Sequence, residues 1–352
     1  MKVVKCIASS AETTTPQMAP ERILVGVDFR QPSLAAARWA AAHFGTCAIK
    51  LAHVLPIPEV PAFLRPSMPA LDNRLTTTSA SPLPALRGFA GTLGATNLSV
   101  QVRAGPPVHS LAEAAATFGA DLVVLGRKAL DGSRGRTLER LIRRLTVPAL
   151  VVDSRVCESP RRILAAVDDG AIGAKVVAWA AALARHFGAE LTLLHALSGS
   201  LLAHQWLWEE RACESESVSL GKSLRLVAPT HAWLQQLSDD VGQSGRDRTI
   251  VAVGAPGPVI LERARVSRAD LIVVGRNGAH AMSTADIGSA TRLTLRAAQV
   301  PILVVPSTDT LELRPGEKGV DQDLKRQRSA KPRMAVGTRV GSDSHNGRSG
   351  RT

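Results

Sequence analysis

The sequence predicts an α/β fold built from two tandem doubly wound domains, each a five-stranded parallel sheet flanked by helices. Three observations carry that expectation. Short apolar runs such as Leu271-Ile-Val-Val274 do not alternate with polar residues, so they read as strands buried on both faces, as in a parallel sheet covered by helices. Ala-rich stretches of helical length separate them, and this βαβ order is the signature of a doubly wound sheet. The whole pattern then recurs about 140 residues later.

Residues 1–20 contain Thr, Ser and Pro without periodicity and are read as a flexible leader. Arg22 to Asp28 forms the first buried-type strand, and Ser33 to Phe44 an Ala-rich helix that stops at Gly45. Ala48 to Val54 is the second strand. Between Pro56 and Pro84, prolines and Thr76-Thr77-Thr78 break any period, so a long loop is expected. Leu83 to Leu93 reads as helix despite Gly88 and Gly91, and Leu98 to Arg103 as the third strand. Gly105-Pro106-Pro107 opens the helix Val108 to Phe118, because proline is tolerated in a first helical turn. Asp121 to Gly126 is the fourth strand, Arg136 to Leu145 a helix, and Pro148 to Val152 the fifth strand.

The second half repeats the first. Arg162 to Asp168 matches Arg22 to Asp28, His186-Phe187-Gly188 matches His43-Phe44-Gly45, and Leu193 to Ala196 matches Leu51 to Val54. Arg268 to Gly275 matches Gly119 to Gly126, and Val300 to Val305 matches Val147 to Val152. So long a period exceeds that of solenoid repeats and means two copies of one domain, at 21–153 and 161–306, joined by a linker at 154–160. Leu201 to Gly245 is variable, with Trp206, Trp208 and an amphipathic helix over Leu224 to Val241. From 307 to 352 the composition shifts to Gly, Ser, Arg and Lys, which reads as a disordered basic tail.

Composition narrows the function. Hydrophobic content of 45% against 21% charged is globular. The net charge of +13 raises the question of nucleic acid, but aromatics are only 3%, with no Tyr, and no basic run is interleaved with them. Solvated arginines on helix faces explain the charge better. Lys5 interrupts the first apolar run, which argues against a secretory signal, and no stretch approaches the roughly 18 apolar residues that span a bilayer. The cysteines (Cys6, Cys47, Cys157, Cys213) are far apart, with no Cys-x-x-Cys and no His at metal spacing, which fits a reducing cytoplasmic compartment and no metal site.

The chemistry concentrates after Leu271 to Val274. Gly275, Gly278 and Gly288-Ser289 give Gly-x2-Gly-x9-Gly-Ser, whose last members open a helix over Ala290 to Ala298. Glycines let backbone N–H groups approach an anion, and a helix start adds unpaired donors and a positive dipole end. A phosphate cradle is therefore expected at the carboxyl end of a strand, where open α/β sheets bind ligands. The plainer alternative is an ordinary Gly-rich loop.

Strand-Asp, strand-His-Val, Gly-x-Pro before a helix, Ala-Asp-Leu-Ile-Val-Val-Gly, the glycine motif and the closing Val-Pro-Ile-Leu-Val-Val together resemble the universal stress protein family, in tandem form. The resemblance implies an adenine-nucleotide alpha hydrolase-like sheet and ATP, with or without Mg²⁺, as ligand. It implies that Gly275, Gly278, Gly288 and Ser289 hold the triphosphate, that Asp168 accepts hydrogen bonds from the ribose, and that Ala196 reads adenine through its backbone. Asp168 has an alternative as a turn or helix cap. His53 and His195 read as packed strand residues rather than catalysts, since no Ser or Cys partner is predictable.

The first copy departs from the motif. The matching positions are Asp28, Val54, Gly126 and Gly135, but Ala129 replaces the second glycine and Arg136 the serine, and the loop is shorter. A weak or empty site follows if the backbone there needs φ > 0. Arg127, Lys128, Arg134 and Arg136 read as solvated side chains on an exposed loop, with attraction of an anion as the alternative. Three readings stand. The first is a stress-response protein whose nucleotide is a regulatory ligand. The second is a hydrolase or nucleotidyl transferase using Asp286 or Asp168, for which no Gly-Lys-Ser/Thr phosphate loop speaks. The third is an interaction scaffold in which Ala149 to Val152 and Ile302 to Val305 pair as an intramolecular pseudo-dimer, beside which a homodimer is the other assembly implied.

Overall fold

The computed structural model describes residues 20–56, 81–127, 135–154, 158–170, 172–197, 218–241, 248–278 and 286–307. Most of the leader, the loop after Pro56, Lys128, Ala129, Arg134, Trp206, Trp208 and the basic tail lie outside these residues. The first half runs β1 (Arg22–Gly26), α1 (Gln31–His43), β2 (Ala48–Pro56), α2 (Leu83–Gly91), β3 (Leu98–Gly105), α3 (Pro107–Phe118), β4 (Leu122–Arg127), α4 (Gly135–Arg144) and β5 (Ala149–Asp153). The second runs β6 (Arg162–Ala166), α5 (Gly173–Phe187), β7 (Glu190–Leu197), α6 (Val218–Asp240), β8 (Arg248–Val253), α7 (Pro256–Val266), β9 (Leu271–Gly275), α8 (Ser289–Ala297) and β10 (Ile302–Val305).

The strands form one sheet in the order β3-β2-β1-β4-β5-β10-β9-β6-β7-β8. Each half is a five-stranded parallel sheet, as the apolar runs predict. Alternate residues of a strand point to opposite faces. Thus Ile23 and Val25 join one core with Ala36 and Ala40 of α1 and Leu86 of α2, while Leu24 joins a second core with Leu111 of α3 and Leu141 of α4. The second half is covered in the same way, by α5 and α6 on one face and α7 and α8 on the other. Both cores run through both halves.

The halves meet where β10 pairs antiparallel with β5, with Leu303 opposite Leu150, Ile302 opposite Val151 and Val304 opposite Ala149. The expected intramolecular pairing is therefore present, and its antiparallel sense relates the halves by an approximate two-fold axis. Repetition extends to the strand ends. Asp121 accepts the N–H groups of Glu21 and Arg22 at 2.8 and 3.1 Å, and Asp270 accepts those of Arg161 and Arg162, both at 3.0 Å. Each aspartate of the Ala-Asp-Leu motif thus anchors the start of its domain's first strand.

Some boundaries differ from the sequence reading. β2 and β3 run on to Pro56 and Gly105 because their pairing continues to that register. α6 begins at Val218 rather than Leu224 and carries Pro229 within it. α5 ends on left-handed Gly188, φ 63°, whereas α1 is closed by Phe44 and Gly45 is not left-handed.

Candidate functional site

In each half the strand order reverses at the first strand, which has the second strand on one side and the fourth on the other. At such a switch point the connections leave in opposite directions and open a crevice at the carboxyl ends of the strands. In the second half this crevice is a cavity of about 380 Å³ between the ends of β6, β7 and β9. Asp168, Ala196, Gly275, Gly278, Gly288 and Ser289, drawn from four separate stretches of sequence, all line it. Pro256 and Ile260 of α7 line it from one face of the sheet and Ile172 and Val176 from the other, and the glycine loop and the start of α8 complete the lining.

The loop after β9 is held by its own backbone. Arg276 N–H donates to Val305 O at 2.7 Å, Gly288 N–H donates to Arg276 O at 2.8 Å, and the Thr291 hydroxyl donates to Gly275 O at 2.6 Å. The amide of Gly288 is thereby engaged within the loop, and a Cβ at this position would meet its neighbours only at ordinary contact distance. The first helical bond of α8 runs from Arg292 N–H to Gly288 O at 2.9 Å, so the N–H groups of Ser289, Ala290 and Thr291 have no acceptor within the helix. All three residues line the cavity, at the positive pole of the helix.

At Gly278 it is the Asp168 side chain, not φ, that a larger residue would disturb. Neither Gly278 nor Gly288 is left-handed, contrary to the conformational requirement considered from sequence. A Cβ on Gly278 would instead overlap the Asp168 carboxylate. Asp168 stands just past β6 and accepts Asp169 N–H at 2.8 Å. Asp169, which the sequence reading passed over, also lines the cavity. Its carboxyl is pushed above the usual range by the hydrogen bond to the Asp168 side chain, then by burial and the Asp168 charge, with His195 pulling the other way. His195 Nδ1 lies 2.8 Å from Val167 O, and its ring meets Trp233 edge-on, which ties it to the scaffold as expected. Asp286, one candidate base, pairs with Arg143 at 3.5 Å.

The first half is arranged differently. Asp28 accepts the Ser33 hydroxyl at 2.6 Å and Arg30 N–H at 3.0 Å, so it caps its own turn. The backbone of Pro32 and Ser33 presses on Gly126, where a Cβ would collide with it; at the matching Gly275 the nearest atoms are those of the Ile172 side chain and Asn277 O, at 3.1–3.2 Å. Phe29 stands where the second half has Asp169, with its ring 4.8 Å from that of His53, whose Nδ1 is 2.7 Å from Val27 O. Val54 lies in β2 and Gly135 opens α4.

Arg127 corrects the sequence reading. Expected as a solvated side chain on an exposed loop, it is 4% exposed and faces Asp153 at 3.6 Å. Its guanidinium donates to Leu295 O at 2.8 Å and to Ala298 O, at the end of α8 in the other half. Arg276 does the same in reverse, donating to Arg143 O at 3.2 Å and Leu145 O at 3.0 Å at the end of α4. Helix ends offer unpaired carbonyls and the negative pole of the dipole, which suits a buried guanidinium. The only sequence signal was that an arginine follows the strand-ending glycine in both copies.

Among the described residues no helix is long and apolar enough to cross a membrane. No curated protein matches the chain. Among solved structures, a universal stress protein from Archaeoglobus fulgidus DSM 4304 superposes with a TM-score of 0.57 at 16% identity, over 82% of this chain and 97% of that one. A functionally unknown protein from Pseudomonas aeruginosa PAO1 gives 0.54 at 16% identity, over 83% and 95%. At this identity the likeness speaks for the fold. The sequence pattern of the Universal stress protein family matches twice, at residues 20–153 and 160–306. The chain therefore belongs to the universal stress protein family, as a tandem member with two such domains in one polypeptide.

Proposed function

We propose that the second domain binds an adenine nucleotide, ATP foremost, as a regulatory ligand in a stress response, and that the first domain does not bind it in the same way. The observation that carries this reading is the Gly278–Asp168 contact. It sets a carboxylate suited to ribose hydroxyls beside a loop and helix start suited to phosphates, within one cavity. The apolar side formed by Pro256 and Ile260 suits a planar base next to the Ala196 backbone. Ser289 would add a hydroxyl at the phosphate end. Among the described residues no group of three or more His, Cys, Asp or Glu gathers to hold a metal. A Mg²⁺ ion would accordingly arrive with the triphosphate and keep mostly phosphate and water ligands.

Binding rather than turnover is the function inferred; His195, which also lines the cavity, has its Nδ1 engaged with Val167 O. Binding shifts a conformational or association equilibrium only if one state holds the nucleotide more tightly. The β5–β10 seam favours a scaffold role alongside, since it joins the domains without a ligand; further self-association would produce a homodimer of tandem chains. The widely spaced cysteines support a cytoplasmic setting. Mass spectrometry of the small molecules released from natively purified protein tests the reading: an adenine nucleotide is expected, and a different ligand class held in its place would overturn it.

A further inference from the structure

Arg276 belongs to two structures at once. Its backbone is part of the candidate cradle, with N–H given to Val305 O and C=O accepting Gly288 N–H at 2.7 and 2.8 Å. Its side chain, in a residue only 3% exposed, leaves the domain and caps the end of α4 through Arg143 O and Leu145 O. A third contact, Nη2 to the Ser307 hydroxyl at 3.3 Å, fixes the guanidinium beside the strand end that also takes its N–H. The loop that faces the cavity is therefore pinned from the opposite domain. Arg127 completes the arrangement by holding the far end of α8, the helix whose first turn closes the same cavity.

We propose that Arg276 is a positioning residue through which the first domain fixes the phosphate end of the second domain's nucleotide site, so that occupancy of the site and closure of the seam are linked. The inference rests on the nucleotide reading above and deepens it: a domain without the motif's second glycine and its serine still serves binding, as the anchor of its neighbour's loop. A planar guanidinium suits this because it spans two carbonyls with fixed geometry and is weakly hydrated, whereas a lysine ammonium reaches such a pair as a single point charge. Linkage works both ways. Whatever loosens the seam weakens the ligand, and the ligand tightens the seam by the same factor.

The test titrates ATP and adenosine separately into the full chain, wild type beside Arg276→Gln and Arg276→Lys, with folding checked by circular dichroism. Arg276→Gln should weaken ATP about tenfold, within the usual range of coupling between sites. It should leave adenosine unchanged, because adenosine carries no phosphate to meet the loop, and Arg276→Lys should fall between. ATP binding by Arg276→Gln equal to wild type overturns the inference and leaves the nucleotide reading standing. Equal weakening of ATP and adenosine also overturns it, since that marks a general loss of structure. A wild type that takes neither ligand removes the reading and the inference together. Should Arg276→Gln fail to fold, the same ATP-to-adenosine split in Arg276→Lys decides.

Discussion

Gly278 lies against the carboxylate of Asp168, so closely that a Cβ at 278 would displace it. The two residues are far apart in sequence, yet their contact joins the loop after β9 to the turn after β6. Replacing the glycine must therefore move the aspartate. Gly278→Ala should weaken ATP binding at least about tenfold, or ~1.4 kcal/mol. The fold should survive, because the backbone at 278 is not in the left-handed region. Calorimetric titration beside a thermal melt of the same samples checks both parts.

Asp169 gives the site a pH signature. Its folded-state carboxyl holds its proton above the usual 3.8, chiefly through the Asp168 hydrogen bond. The folded protein then binds more protons than the unfolded chain in the window just above that value, so stability falls as pH rises through it. Asp169→Asn removes that loss. Its melting temperature should exceed wild type at pH 7, and the difference should shrink below the ordinary carboxylate range.

Much of this was legible beforehand, and the reasons are local. Leu271 to Val274 and Leu122 to Leu125 read as buried strands because an unbroken apolar run has few other uses beside Ala-rich helices. Gly275, Gly278, Gly288 and Ser289 could be named because glycines and a helix start at a strand end have fixed geometric consequences, whereas Asp168 and Ala196 were named through the family resemblance. The arginines were not legible. A charged residue after a loop glycine ordinarily meets water, and only the antiparallel β5–β10 seam brings a helix end within reach of Arg127 and Arg276. The crowding at Gly278 was not legible either, because its neighbour Asp168 is distant in sequence.

The Ala-Asp-Leu aspartates make a prediction about stability alone. Asp270 accepts two backbone N–H groups at the start of β6. Hydrogen bonds to a charged acceptor contribute about 1.5–3 kcal/mol, so Asp270→Ala should cost an amount in that range. Asp121→Ala should cost a similar amount at β1. Urea unfolding followed by circular dichroism measures both, and ATP affinity should change little in either variant.

Arg127 and Asp153 form an ion pair with side chains 3% and 4% exposed. Breaking such a pair by removing one member costs about 3–5 kcal/mol, whereas replacing both with apolar residues is often near neutral. Arg127→Met should therefore be strongly destabilised, and the double variant Arg127→Met/Asp153→Leu should recover part of the loss. The comparison is made by urea unfolding of the three variants against wild type.

Equilibrium dialysis of labelled ATP against the full chain tests the central claim most directly, with wild type beside Gly278→Val. Wild type should retain close to one nucleotide per chain, and Gly278→Val should retain almost none. Equal retention by the two proteins, whether high or negligible, would contradict a nucleotide site built on the contact between Gly278 and Asp168.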